Sequence, residues 1–334
     1  MTPKREAVAN EQRYEQSFNV GKTAELTLRN VRGNIEVSGW DRPEISVVAV
    51  KRMGSEWGAR ESFEDSYVEM EQDGQHVRVR TRRPNGGGLF GWIGIGRTPP
   101  RVDYTIKVPA TSHVSVRNVD GRIAASDIIG NVYARTVNGR IELKRISGQI
   151  ITSVVDADVH GTELGGTLAT KAVSGSVAVA QSQLSSLWAK SVSGSVRAET
   201  TIDPNGSYET GSVDGSFHLM VPRDSRISAS MTSVSGTATC TLPNQVSEHS
   251  HRHWRATING GGASVALRTV SGSLSIAETS KLANAVPPAP SIATEAAAPA
   301  SGDWPEMAIL KSVERGELTV EQALAKLADL DKGG

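Results

Sequence analysis

Three histidines alternate in H-S-H-R-H-W, at His249, His251 and His253. On one extended strand, residues two apart share a face, and three imidazoles there would suit Zn²⁺ or Ni²⁺. Their Cα atoms would sit about 6.6–7 Å apart, which is wide for one ion. A solvated connection is the competing expectation, so the three are weak candidates and no metal or other cofactor is assigned. A carbohydrate-cleaving enzyme would need paired carboxylates on one face. Asp120 and Asp156 hold equivalent turn positions with Asn138 between them. Aspartate favours turns for its own reasons, and no enzymatic activity is expected.

Cations recur more regularly. Arg117 and Arg135 occupy one repeat position, where Lys171, Lys190 and Arg268 return, and Arg122 and Arg140 occupy another. Like charges stacked in register repel in water by about 1 kcal/mol or less, and a polyanion or nearby Glu142 would relieve this. Arg117, Arg122, Arg135 and Arg140 are therefore candidates for anion binding; the plainer alternative is solvated charge that keeps a flat β surface from aggregating. Arg78, Arg80, Arg82, Arg83, Arg97 and Arg101 flank a Gly/Pro-rich apolar segment. Within it Phe90, Trp92, Ile93, Ile95 and Arg97 are candidates for a membrane or partner contact, or for a lid over an open core. Gly91, Gly94 and Gly96 fit neither the dinucleotide nor the phosphate-loop spacing.

What positions these residues is a repeat. A Val before a turn recurs at Val119, Val137, Val155 and Val173, then at Val192, Val213, Val234 and Val270. Half-copies at Ile128, Ile146 and Leu164 reduce the unit to a nonapeptide such as R-T-V-N-G-R-I-E-L, residues 135–143. Alternation is expected to bring Val137, Ile141 and Leu143 onto one buried face, with Asn138-Gly139 as the bend. Two units make an 18-residue coil, swelling to about 21 residues later in the chain. So short a unit buries its apolar stripe only by stacking about 4.8 Å from its neighbours. The fold class is all-β: a β-solenoid preceded by antiparallel hairpins. An antiparallel sandwich is the alternative, suggested locally by T-I-K-V-P (105–109) and H-L-M-V-P (218–222). Calcium-binding β-rolls share the period, but Arg122, Arg140, Ser176 and Ser195 stand where their aspartates would be.

Composition agrees with thin aliphatic layers. The 334 residues are 38% hydrophobic but only 4% aromatic, and 36 cationic side chains cancel 36 anionic ones. No net field favours nucleic acid, and none is expected as a partner. One cysteine, Cys240, rules out an internal disulfide and reads as a small buried hydrophobe. No apolar run is long enough to span a membrane. The start M-T-P-K-R-E-A-V-A-N lacks an apolar signal core, which implies a cytoplasmic protein or, if a targeting segment has been removed, one of the envelope or periplasm.

The expected organisation runs as follows. Residues 1–13 are loose, and 14–113 form a hairpin region containing the Gly-rich loop 82–101. Strands there centre on Leu26 and Leu28, Ile35 and Val37, and Ile45 and Val47. A hairpin about Asp73-Gly74 is expected to pair Glu71 with His76, Met70 with Val77, Glu69 with Arg78 and Val68 with Val79. The repeats fill 114–276, an Ala/Pro-rich linker covers 277–303, and 304–331 form a two-helix hairpin. That hairpin is too small to stand alone, so self-association through it is expected.

The segment V-R-G-N-I-E-V-S-G-W-D-R-P-E-I (31–45), the I-K-V-P leading into the coils and the V-x-G-x-I/V ladder resemble the bacterial putative-adhesin domain family of LiaG-like β-strand repeat proteins. The C-terminal E-M-A-I-L-K-S-V-E-R-G-E-L-T-V-E-Q-A-L-A-K-L is similar to a SHOCT-type helical hairpin. The resemblance implies a β-repeat fold, an envelope context and no catalytic activity. The expected function is a non-enzymatic scaffold in adhesion or envelope-associated interaction. A module binding an anionic glycan or lipid surface is the alternative, and a carbohydrate-active enzyme the second one.

Overall fold

The computed structural model describes residues 4–8, 10–54, 59–82, 99–250 and 252–279. The candidate loop residues Phe90, Trp92, Ile93, Ile95 and Arg97, together with His251 and the helical hairpin 304–331, lie outside these. Among the described residues the chain is almost wholly β, with one short helix, Ala59–Asp65. No helix there is long and apolar enough to cross a membrane.

The repeats form a parallel β-solenoid. Asp120–Ile129 lies in parallel on the next coil with Ile123 opposite Ile141 and Ala125 opposite Leu143, and His113–Arg117 does the same with Val114 opposite Val132. Val159 then meets Val177, Val177 meets Val196, and Val196 meets Phe217. Each coil turns two strands around a shared interior, so each inward aliphatic side chain packs on its counterparts one rise away. Ile123, Ile141, Val159, Val177, Val196 and Phe217 are all 3% exposed or less. The sandwich alternative fails where it looked strongest. Phe217–Val221 is parallel to both its neighbours, and Arg101–Pro109 is parallel to Ile35–Trp40 on one side. Antiparallel pairing is confined to the two ends.

Two features depart from a simple reading of the repeat. First, a coil belongs to the solenoid that the spacing did not include. Glu25–Arg29 and Ile35–Trp40 stack in parallel on the strands at 113 and 120, with Leu26 opposite Val114 and Ile35 opposite Ile123. Val31 and Gly33 are thus the first Val and Gly of the ladder, and residues 41–112 are an insertion after them. Second, spatial order is not chain order. The coil 263–278 pairs with 207–221 on one side, Leu274 opposite Phe217, and with Ile227–Cys240 on the other, Leu274 opposite Ala238. The chain leaves one rung open after Val221, builds the outermost coil, and reverses through the hairpin Asn244–His249 and His253–Ile258. Only then does it fill the rung. The turn that returns it is fixed by Asn259, whose Nδ2 donates to the carbonyls of Arg223 and Ser225 at 2.8 and 2.9 Å.

The inward face differs from expectation at the repeat's most regular residue. Thr136 is 1% exposed and Val137 points outward, half-buried, while Ile141 and Leu143 are buried as expected. The corner explains this. Its backbone carbonyls turn toward the interior and require donors there. Thr136 Oγ1 donates to Asn138 O, Ser191 Oγ to Ser193 O and Thr269 Oγ1 to Ser271 O, each at 2.9 Å. A hydroxyl before Val137, Val192 and Val270 serves the corner from inside, so these valines are left on the outer surface. The expected burial of Val137 is corrected accordingly. Outward valines form a ridge whose last members, Val192, Val213, Val270 and Val234, are 40–64% exposed.

At the other end, the strand Glu11–Asn19 pairs antiparallel with Glu44–Arg52, which pairs antiparallel with Arg101–Pro109. Buried Lys51 ties the short helix down, Nζ donating to the carbonyls of Phe63 and Ser66 at 2.6 Å each. The hairpin Tyr67–Asp73 and His76–Arg82 has a register two residues from the expected one: Asp73 faces His76, Glu71 faces Arg78, Met70 faces Val79 and Val68 faces Thr81. The central turn residues are Gly74 and Gln75, with φ of 58° at Gly74. Glycine first in the turn is the II′ pattern, whereas Asp73-Gly74 as a central pair would need a positive φ at Asp73. A shift of two keeps the same faces together, so acid still meets base.

Candidate functional site

The outer surface of one solenoid wall carries three side-chain columns, set by the period of two along each strand and the in-register stack across strands. The column nearest the valine ridge is basic. Arg80 lies beside Arg29, Arg29 beside Arg117, and Arg117 beside Arg135. After Ser153 the same column continues through Lys171, Lys190, Gly211 and Arg268. The repeat position assigned to Arg117, Arg135, Lys171, Lys190 and Arg268 is therefore one physical line. The order inversion matters here, because it sets Arg268 next to Gly211 instead of at the far end.

The middle column was not anticipated as a surface. It contains Ser115, Tyr133, Ile151, Ala169, Trp188 and Glu209. Cations flank both rings: the Arg117 guanidinium lies 5.8 Å from the Tyr133 centroid, and the Lys171 and Lys190 ammonium groups lie 5.9 and 5.2 Å from that of Trp188. These are cation–π distances. A signal for this was present in the chain. Y-A-R-T-V (133–137) and W-A-K-S-V (188–192) follow one template, ring then cation then Val at alternate positions. Once Val is known to face out, both partners must as well.

The third column is polar: His113, Asn131 and Gln149. The Asn131 N–H donates to His113 Nδ1 at 3.1 Å, and the Gln149 N–H reaches Asn131 Oδ1 at 3.4 Å. Together with Glu25, Ser115, Tyr133 and Ile151 these residues line a shallow pocket of about 130 Å³.

Arg122 and Arg140 stand on the opposite wall and are brought together differently. Both pair with Glu142, Arg122 by a direct hydrogen bond and Arg140 at 3.9 Å. The hydrogen bond from Arg122 holds the Glu142 carboxyl below the usual range and raises the guanidinium in turn. A corner column on the same side alternates in sign. Arg145 donates to both carboxylate oxygens of Asp127, at 2.6 and 2.9 Å, which lowers the Asp127 pKa. On this wall the arginines pair with Glu142 and Asp127, whereas the line through Arg117, Arg135, Lys171 and Lys190 sets cations side by side in register. Arg78, Arg80 and Arg82 likewise face Asp73, Glu69 and Glu71 across their hairpin, at 2.7–4.0 Å.

The other candidates separate. His249 and His253 lie on opposite arms of a hairpin closed by Ser250, whose N–H donates to His253 O at 2.9 Å, so the chain reverses where a single strand was expected. Among the described residues no three His, Cys, Asp or Glu are grouped to hold a metal ion. Asp156 accepts from Ser174 Oγ at 3.0 Å, and Asp120 lies 3.8 Å from the Arg32 guanidinium. Both act as turn and pairing groups. Cys240 is half-buried on the outermost coil instead of fully buried, and burial raises its thiol pKa.

The Toastrack DUF4097 profile matches residues 23–277, from the first stacked strand to the last. The chain belongs to the Toastrack DUF4097 family. That match takes in the early coil at Val31 and the rung filled last, so the Toastrack unit is the whole solenoid. Among solved structures, a "putative adhesin" from Bacteroides fragilis is 10% identical, with 79% of this chain covering 96% of that one and a TM-score of 0.42. A "putative lipid binding protein" from Parabacteroides distasonis is 9% identical, with 81% covering 97% and a TM-score of 0.36. A "putative cell adhesion protein" from Clostridium sporogenes is 10% identical, with 79% covering 99% and a TM-score of 0.25. Likeness this distant assigns no role to any residue of the Toastrack wall. No curated protein matches the chain.

Proposed function

We propose that this Toastrack protein is a non-enzymatic binding scaffold of adhesin type, which holds an anionic polymer of the cell envelope along its basic wall. The observation that supports this is the line Arg29, Arg117, Arg135, Lys171, Lys190 and Arg268, brought onto one face by the parallel register. A polyanion neutralises such a line without any rearrangement of the rigid stack, and aromatic and polar columns beside it supply contact that charge alone does not. The turn roles of Asp120 and Asp156 fit a scaffold better than a hydrolase.

The test is charge reversal on full-length protein. Arg135→Glu, Lys190→Glu and Arg268→Glu together are expected to weaken binding of an anionic polysaccharide about 100-fold at low ionic strength, and less as salt screens the wall. Arg122→Gln with Arg140→Gln on the opposite wall should change it by less than about threefold, since Glu142 already engages both. Calorimetry at two salt concentrations reads both. Equal binding by wild type and the triple variant would overturn the proposal.

A further inference from the structure

The pocket beside the basic line has two chemically different rims. On one side stand Glu25, His113, Asn131 and Gln149, which carry hydroxyl-binding groups; on the other, beyond Tyr133 and outside the lining itself, stand Arg117, its guanidinium 5.8 Å from the Tyr133 centroid, and Arg135 beside it. The first rim is oriented by its own hydrogen bonds. Because His113 Nδ1 accepts from the Asn131 N–H, the neutral ring carries its proton on Nε2. Because Asn131 Oδ1 faces the Gln149 N–H, its amide NH₂ is left to donate elsewhere. The floor between the rims is apolar, made by Tyr133 and Ile151. The hollow is shallow, about 130 Å³, and its exposed lining is mostly apolar.

From this polarity we infer that the pocket seats a single acidic pyranose, a uronate-type unit within an anionic polysaccharide. The C–H face of the ring lies on Tyr133 and Ile151. Its hydroxyls meet Glu25, His113, Asn131 and Gln149, and its carboxylate meets Arg117 and Arg135. Glu25 fits this orientation, because an acid on the hydroxyl rim accepts hydrogen bonds and turns the sugar carboxylate toward the arginines. A polymer lacking rings would use the basic line but leave the pocket empty. The inference rests on the polyanion reading above and adds to it the chemistry of the repeating unit.

The experiment titrates full-length protein with a uronic-acid oligosaccharide and, separately, with inorganic polyphosphate. Tyr133→Ala is expected to weaken the oligosaccharide about tenfold and to leave polyphosphate within twofold, while Tyr133→Phe keeps both. Gln149→Ala, which leaves the ring in place, should weaken the oligosaccharide alone by about threefold or more. Loss of both ligands to the same degree in Tyr133→Ala, or of neither, would overturn the pocket assignment. Wild-type protein that binds polyphosphate but not the oligosaccharide would overturn it and leave the polyanion reading standing. Protein that binds neither would remove both.

Discussion

Ile141→Asp is expected to abolish the cooperative melt of the solenoid, whereas Val137→Asp, four residues earlier in the same repeat, should shift it only slightly. Ile141 is fully buried and stacked on Ile123. Among the described residues the one buried cation, Lys51, is held by the carbonyls of Phe63 and Ser66, and an uncompensated buried charge at 141 costs about 3–5 kcal/mol in addition to the lost packing. That is comparable to the whole margin of a typical domain. Val137 faces outward and half-buried, so its replacement should cost about 1 kcal/mol. Circular dichroism melts of the two variants separate the cases. Equal destabilisation would return Val137 to the core and overturn the assignment of the outer columns.

Gly139→Val should be nearly as damaging for a different reason. The glycines at the first corner form a ladder of their own, and a Cβ on Gly139 would lie 2.3 Å from the Gly121 carbonyl oxygen and 2.8 Å from its carbon. Both atoms are backbone and cannot step aside without opening the stack. The φ of 115° at Gly139 adds strain for any L side chain. Together these are expected to cost about 3–5 kcal/mol. Gly74→Ala is the contrast. Its φ is 58°, but nothing lies within 4 Å of the added Cβ, so the cost should be about 1 kcal/mol. Ala157 holds a place on the same ladder without a positive φ, so the corner has a second backbone path. A Gly139→Val melt within a few degrees of wild type would mean that any coil can take that path.

The period of the solenoid was legible because one coil is one repeat of the chain, and a spacing of 18 residues is also a register of 18 residues. Three other features were not. The face of Val137 depended on where corner carbonyls find donors, a requirement of the folded backbone that hydrophobic alternation does not carry. The register of the hairpin at Gly74 was missed by two residues because such a shift preserves which faces meet, and pairing chemistry is blind to it. The position of the coil 263–278 was hidden for a related reason. Every coil has the same stripe, so the stripe cannot say which coil lies on which; the hairpin 244–258 decides it. Of the candidate site, the cations at Arg117 and Arg135 were readable from spacing. Tyr133 and Trp188 were not, since their exposure follows from that of the valines.

The place of Arg268 on the basic wall depends on the order of the last coils, and one cross-linking measurement tests that order. Ser216 Oγ and Ser273 Oγ lie 3.0 Å apart, while Thr237 pairs with Ser273 and is one rung further from Ser216. In a Cys240→Ser background, Ser216→Cys with Ser273→Cys should oxidise readily to an intramolecular disulfide in the native protein, detected by mass spectrometry of a tryptic digest. Ser216→Cys with Thr237→Cys should remain reduced, since two coil rises of about 9.6 Å exceed the reach of the bond. The reverse result, a disulfide between 216 and 237 and none between 216 and 273, would show that the coils stack in chain order and would remove Arg268 from its place beside Gly211.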